Sequence, residues 1–128
     1  MKYLIDTHVL IWFSEDDNRL PVRIKSIIED DSSEVFVSHA TIWEMSIKMS
    51  LGKLKLSYSI AELEQILTKN GIALLLNSFQ HYQVLISLPL HHQDPFDRLI
   101  IAQGIAKDFT VISHDPKFPA YPVKLETF

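Results

Sequence analysis

Short apolar runs and helix-like stretches alternate from one end of this chain to the other. The runs Tyr3 to Ile5, Val35 to Val37, Ile72 to Leu76 and Thr110 to Ile112 are bounded by polar residues and are too brief for helices. Such runs read as strands buried on both faces. Strands separated by helices pair in parallel through right-handed crossovers, because a tight hairpin has no room for the intervening helix. The pattern predicts an α/β fold, a three-layer α/β/α sandwich around a central, mainly parallel sheet. With 128 residues and no Gly/Ser-rich linker, the chain should form a single domain over residues 1–128.

The helical stretches carry their own punctuation. Ser59-Ile60-Ala61-Glu62 is a capping-box pattern, Ile60, Leu63, Ile66 and Leu67 follow on one stripe, and Gly71 supplies the stop. Asp94-Pro95 offers an N-cap with proline at the first helical position, and Leu99, Ile100 and Ala106 continue that helix to about Lys107. From Ala40 to Leu51 two apolar stripes run on nearly opposite sides: Ile42, Met45 and Met49 on one, Trp43, Ile47 and Leu51 on the other. Glu44 and Lys48 fall between them. One stripe serves the sheet; the other needs either a second helix of the same domain or a partner's surface. Leu10, Ile11, Trp12 and Phe13 make the first helix apolar over much of its girth, which also suits a subunit contact.

Composition narrows the classes of function. A chain that is 47% hydrophobic and 22% charged is neither a disordered tail nor a fibrous repeat. Twelve Lys and Arg against 16 Asp and Glu give a net charge of −4, so nucleic acid cannot be held by bulk positive charge. The absence of cysteine excludes a disulfide framework, a thiolate zinc site and a cysteine nucleophile. The opening MKYLID has none of the parts of a signal peptide, and no apolar run approaches the roughly 18 residues of a membrane span. A cytoplasmic protein with no membrane association is expected.

In open α/β sheets, ligands gather beyond the carboxyl ends of the strands. Asp6 directly follows the first strand, and Asp115 follows the last central strand after Ser113-His114. Asp94 and Asp97 occupy the first turn of the helix leading into that strand, and Glu44 lies early in the helix after the second strand. Each acid also has a structural role available. Asp6 and Asp94 are good N-caps, Asp97 gains from the helix dipole, Asp115-Pro116 opens turns, and Glu44 has an i,i+4 partner in Lys48. Capping does not explain why separate segments deliver acids to one edge. Carboxylates about 5 Å apart repel by about 3 kcal/mol per pair at an effective dielectric of ~20. A cluster of Asp6, Glu44, Asp97 and Asp115 must therefore bind cations, share protons or relax apart. An all-oxygen set of this kind suits Mg²⁺ or Mn²⁺, ions able to activate water and orient a phosphodiester.

Together these residues resemble the PIN-domain family: Asp6-Thr7 after an N-terminal strand, Glu44 in an early helix, the 94–103 block DPFDRLIIAQ, and Ser113-His114-Asp115. The opening Tyr3-Leu4-Ile5-Asp6-Thr7-His8 with the 94–103 block is similar in particular to the VapC-like toxins of bacterial toxin–antitoxin systems. The resemblance implies a metal-dependent ribonuclease using Mg²⁺ or Mn²⁺, usually a homodimer, held inactive by a cognate antitoxin. It implies Asp6, Glu44, Asp97 and Asp115 as the catalytic acids and metal ligands, with Asp94 in an auxiliary place. Thr7 and Ser113 match small hydroxyl positions that hold a carboxylate or a bound water. RNA rather than DNA as substrate rests on the resemblance alone.

The remaining polar residues are less specific. Arg98 beside Asp97, and Lys48 one turn beyond Glu44, are candidates to grip RNA phosphates, with plain solvated charge as the alternative; Lys53, Lys55 and Lys117 are similar. The six histidines, His8, His39, His81, His91, His92 and His114, fit no zinc signature and suit surface or capping roles, with a water contact or a preference for Mn²⁺ as the alternative for His8, His92 and His114, which lie close in sequence to the acids. Trp12, Phe13, Trp43 and Phe96 suit core packing. A phosphorelay receiver would need an acid where the third strand ends Leu75-Leu76-Asn77-Ser78. A haloacid-dehalogenase-like phosphatase would need Asp-x-Asp where Asp6-Thr7-His8 stands. A catalytically silent PIN-like binding module, and a metal-dependent phosphohydrolase with another substrate, stand as alternatives to the ribonuclease.

Overall fold

The computed structural model describes residues 1–128. Five strands, β1 (Lys2–Ile5), β2 (Glu34–Ser38), β3 (Ile72–Leu75), β4 (Thr110–Ser113) and β5 (Leu125–Thr127), form one sheet. Their order is β3-β2-β1-β4-β5, and every neighbouring pair is parallel. Six helices connect them: α1 (Thr7–Ser14), α2 (Val22–Glu29), α3 (His39–Ser50), α4 (Ile60–Lys69), α5 (Phe79–Ser87) and α6 (Pro95–Lys107). None is long and apolar enough to cross a membrane. The α/β architecture expected from the alternation of elements is the one observed.

The alternation of side chains along β1 explains the layering. Tyr3 and Ile5 enter one core with Val9, Leu10, Ile24, Met45, Leu63 and Leu67, whereas Leu4 enters the other with Ile100, Ile101, Phe109, Phe118 and Tyr121. A strand apolar on both faces thus builds two cores at once. The expectation of full burial fails at β3, where Ala73 and Leu74 are exposed. Ala73 and Leu74 point to opposite faces of this edge strand, while Ile72 and Leu75 each reach one of the two cores, so cover at the edge is partial on both sides. Leu76, expected in the strand, lies beyond its end and is exposed. The opposite edge, β5, is a Leu-Glu-Thr stretch with no apolar run to betray it.

Local signals placed the helix ends. Ser59 and Glu62 form both bonds of the capping box on α4, and Gly71, at φ +66°, follows the cap residue Asn70. Asp94 Oδ1 accepts the Asp97 N–H at 2.9 Å, and Pro95 opens α6. On α3, Met45 is in the core, but the opposite stripe is only partly covered. Trp43 meets Phe96 of α6 edge-on at 5.5 Å and is still 62% exposed, and Leu51 also faces solvent. The core role expected for Trp43 is therefore wrong. Among the histidines, His81 takes the capping role expected, buried with Nδ1 accepting the Ser78 N–H at the start of α5, whereas the His92 side chain is buried beside α6 rather than at the surface.

One close approach sets the spacing of α6 on the sheet. A methyl group at Gly104 would lie 2.6 Å from Val111 Cγ2 on β4 and 3.1 Å from Val123 Cγ2. Alanine gains up to about 1 kcal/mol in helix propensity over glycine, but overpacking of this kind costs about 1–3 kcal/mol. Because a valine branch cannot swing aside as a flexible chain end can, overpacking dominates. Gly104→Ala should lower the melting temperature by about 3–8 °C; an unchanged or higher value in thermal denaturation would show that α6 shifts freely.

Candidate active site

The strand order reverses at β1. The chain adds β2 and β3 outward on one side, then returns through α5 and α6 to lay β4 on the other. At such a reversal the connections leave in opposite directions, and a crevice opens beyond the carboxyl ends. Asp6 and the Ser113–Asp115 turn are the residues that follow those ends of β1 and β4.

Asp6 extends the ladder by one residue, its N–H donating to the Ile112 carbonyl at 3.1 Å, and at once caps α1. Its Oδ1 accepts the Val9 N–H at 2.9 Å, and its Oδ2 accepts from the Ser113 hydroxyl at 2.5 Å. Ser113 Oγ in turn accepts the Asp115 N–H at 3.0 Å. One buried hydroxyl therefore ties Asp6 to the backbone of Asp115 across the reversal. Asp115 Oδ1 accepts the Lys117 N–H at 2.8 Å, which shapes the following turn.

Glu44 arrives from α3 and is buried. The Thr7 hydroxyl donates to Oε1 at 2.7 Å, and with its single hydrogen so used, it accepts from Thr41 Oγ1 at 3.0 Å. Lys48 Nζ donates to Oε2 at 2.8 Å. The i,i+4 pair considered from the sequence is present, but Glu44 is not the solvated residue that idea assumed. Thr41 escaped the sequence reading; its only signal is its place three residues before Glu44, on the same helical face.

Asp97, in the first turn of α6, reports how the acids are gathered. Its carboxyl is pushed up to about 8, first by burial and then by the charges of Asp94, Asp115, Glu44 and Asp6. Burial also holds the Asp6 carboxyl above the ordinary range, with the Ser113 and Val9 hydrogen bonds and His8 working against it. The Lys48 ammonium is held above its usual value, chiefly by its bond to Glu44 and further by Asp94 and Asp97. The structure thus brings Asp6, Glu44, Asp94, Asp97 and Asp115 together, with Thr7, Ser113 and Lys48 among them. It does not bring Arg98 in: that guanidinium donates to the Pro89 carbonyl at 2.9 Å and to the Tyr121 hydroxyl at 3.2 Å.

A PIN-domain family model matches residues 3–124. The chain belongs to the PIN-domain family. Solved structures agree on the fold of this PIN domain. A chain of VapBC2 from Rickettsia felis, bound to a DNA fragment from its promoter, superposes with a TM-score of 0.77 at 16% identity, covering 99% of this chain and 98% of that one. VapBC-1 from nontypeable Haemophilus influenzae gives 0.68 at 16% identity over the same shares. DNA-bound VapBC from Salmonella typhimurium gives 0.67 at 13%, again over 99% and 98%. No curated protein sequence matches. The expected likeness to VapBC structures is therefore met in the fold.

PIN nucleases generally use a divalent metal, and the donor set in this PIN domain is chemically suited to one. Its oxygens are hard ligands, and its crowded, partly buried carboxylates carry negative charge that Lys48 and His8 offset only in part. No three of the Asp, Glu and His side chains form a ready coordination shell, however. Mutual repulsion opposes their drawing together until a divalent charge is present.

The raised Asp97 carboxyl has a stability consequence. Between about pH 4 and pH 8 the native residue keeps a proton that the unfolded one, with the ordinary aspartate value of 3.8, has lost. With fewer protons on the unfolded state, stability falls as pH rises through that window, and levels off above it. In EDTA, Asp97→Asn should therefore raise the melting temperature more at pH 8 than at pH 5, and Mg²⁺ should flatten the wild-type slope. A variant no more stabilised at pH 8 than at pH 5 would contradict this account of the cluster.

Proposed function

We propose that this PIN domain is a divalent-metal-dependent endoribonuclease, the toxin of a toxin–antitoxin pair, acting as one unit over residues 1–128 in the cytoplasm. The observation that carries the reading is the crowding of Asp97 by four further carboxylates at the strand-order reversal. A PIN domain matched to VapBC structures is the context that gives the crowding this meaning.

In this reading Asp6, Glu44, Asp97 and Asp115 hold Mg²⁺ or Mn²⁺, with Asp94 as an auxiliary acid. When bound, the ion lowers the pKa of a water and offsets charge on the phosphodiester. The chain's own residues do the rest. Ser113 and Thr7 fix the rotamers of Asp6 and Glu44, so the carboxylates meet the ion without first losing rotamer freedom. Lys48, close to Glu44, Asp94 and Asp97, is placed to take a phosphate oxygen once a cation shares its carboxylates. Arg98, the other candidate for RNA, spends Nη1 on Pro89 and Tyr121 and keeps its Nε and Nη2 donors for a phosphate. A cation in the acidic cluster also explains how a chain of net charge −4 meets a polyanion.

Two partners follow from the same reading. A cognate antitoxin is supported by neighbours solved as VapBC and FitAB assemblies. A homodimer is supported by large apolar side chains left in solvent, with Phe79 and Ile86 on α5 and Trp43 on α3.

Purified protein incubated with structured RNA should cut it in Mg²⁺ or Mn²⁺ and not in excess EDTA. Asp6→Asn should slow cleavage by at least about 100-fold, since a metal site contributes several kcal/mol to the transition state. Cleavage that survives EDTA, or is unchanged in Asp6→Asn, would overturn the assignment.

A further inference from the structure

We propose that His92 is a positioning residue for Asp97, its Nε2–H locked toward that carboxylate by Tyr121. The inference deepens the metal-dependent reading and rests on it. Its starting point is a buried polar atom with no partner: the His92 side chain is 6% exposed, and Nε2 makes no hydrogen bond. Such orphans are rare in folded proteins and ask for an explanation.

Hydrogen-bond accounting at Tyr121 fixes where the imidazole hydrogen sits. A hydroxyl has one hydrogen and two lone pairs. The Tyr121 oxygen accepts from Arg98 Nη1 at 3.2 Å and from the His92 backbone N–H at 3.1 Å, which fills both lone pairs. Its own hydrogen must then go to His92 Nδ1, 2.7 Å away. Nδ1 is therefore the acceptor, and the ring hydrogen is on Nε2. That nitrogen lies 3.5 Å from Asp97 Oδ2, slightly too far for a good hydrogen bond, and nothing else competes for it.

A small rotation of the Asp97 carboxyl closes the gap. Once closed, Oδ2 is held by His92 while Oδ1 is left for a cation, so the carboxylate is oriented before it binds. Partners of this kind behind a ligand typically change metal affinity by about 10–100-fold. Arg98 gains a role as well. By filling a lone pair of Tyr121 it helps set the tautomer of His92, and so acts on Asp97 through two intermediaries.

The amide substitutions separate position from bulk. Gln places its amide nitrogen near the site of Nε2, whereas Asn places it near Nδ1. Titration calorimetry with Mn²⁺ alone on the full chain should give His92→Gln an affinity within about threefold of wild type and weaken His92→Asn about tenfold or more. The ¹⁵N imidazole spectrum of metal-free wild-type protein should show a hydrogen on Nε2 and a bare Nδ1 for His92, and Tyr121→Phe should remove that preference. The spectrum needs no His92 variant to fold, and a hydrogen on Nδ1 would overturn the proposal. So would wild-type affinity in His92→Asn. Wild-type protein that takes up no Mn²⁺ at all would instead overturn the metal reading, and this proposal with it.

Discussion

Parallel pairing commits every strand in this sheet to end on the same edge, and all the chemistry depends on that. Between β1 and β4 the reversal of strand order leaves the edge without a covering connection. Asp6 and Asp115 stand on either side of the gap, and Ser113 bonds to both. α3 and α6 each run back from this edge, so the second turn of α3 brings Glu44, and the cap and first turn of α6 bring Asp94 and Asp97, to it. No long loop is needed to assemble the cluster. Four short segments, each at or near a strand end or a helix start, converge because the topology gives them nowhere else to go.

The cost of that convergence is visible in the charge balance. Asp6 and Asp97 both resist ionisation, mainly because they are buried, and the acids around Asp97 add to its resistance. A fold selected only for stability would replace such residues. Here each is instead supported: Asp6 by Ser113 and the Val9 N–H, Glu44 by Thr7 and Lys48. Support without neutralisation is the condition in which a divalent ion gains most. The ion meets ligands already oriented, and it relieves repulsion that a single lysine leaves largely in place.

The fold was legible in the sequence wherever burial and local capping point the same way. β1, β2 and β4 lie in the sheet interior, so apolar runs identify them, and α4 and α6 carry explicit caps. Edges were not legible. β3 exposes part of its apolar run, and β5 is held by pairing to β4 rather than by composition. At the site, the acids could be found because a strand end and a helix start are both local features. Their supports were legible in part: Thr7, Ser113 and Lys48 stand beside the acids or one turn away, and His92 is near them in sequence, whereas Thr41 has only its helical spacing and Tyr121 acts through contacts far away in the chain. Adjacency to Asp97 says less about Arg98 than it suggests: the residue stands about 100° away around the helix, where its Nη1 donates to Tyr121 and Pro89.

Treating capping and ligation as rival explanations for these acids misjudges what a carboxylate offers. It has two oxygens and about four lone-pair sites, and an N-cap uses one. Asp94 spends Oδ1 on the Asp97 N–H, and Asp6 spends Oδ1 on Val9. The cap bond fixes the side chain's torsions, and each carboxylate keeps lone pairs beyond it, Asp6 even after its Oδ2 accepts from Ser113. A helix start is also where the dipole favours a negative charge, which partly offsets the crowding. The structural role is thus what orients the acids for the functional one. It also explains why the motif sits at first turns and strand ends, where backbone N–H groups are free to hold a carboxylate still.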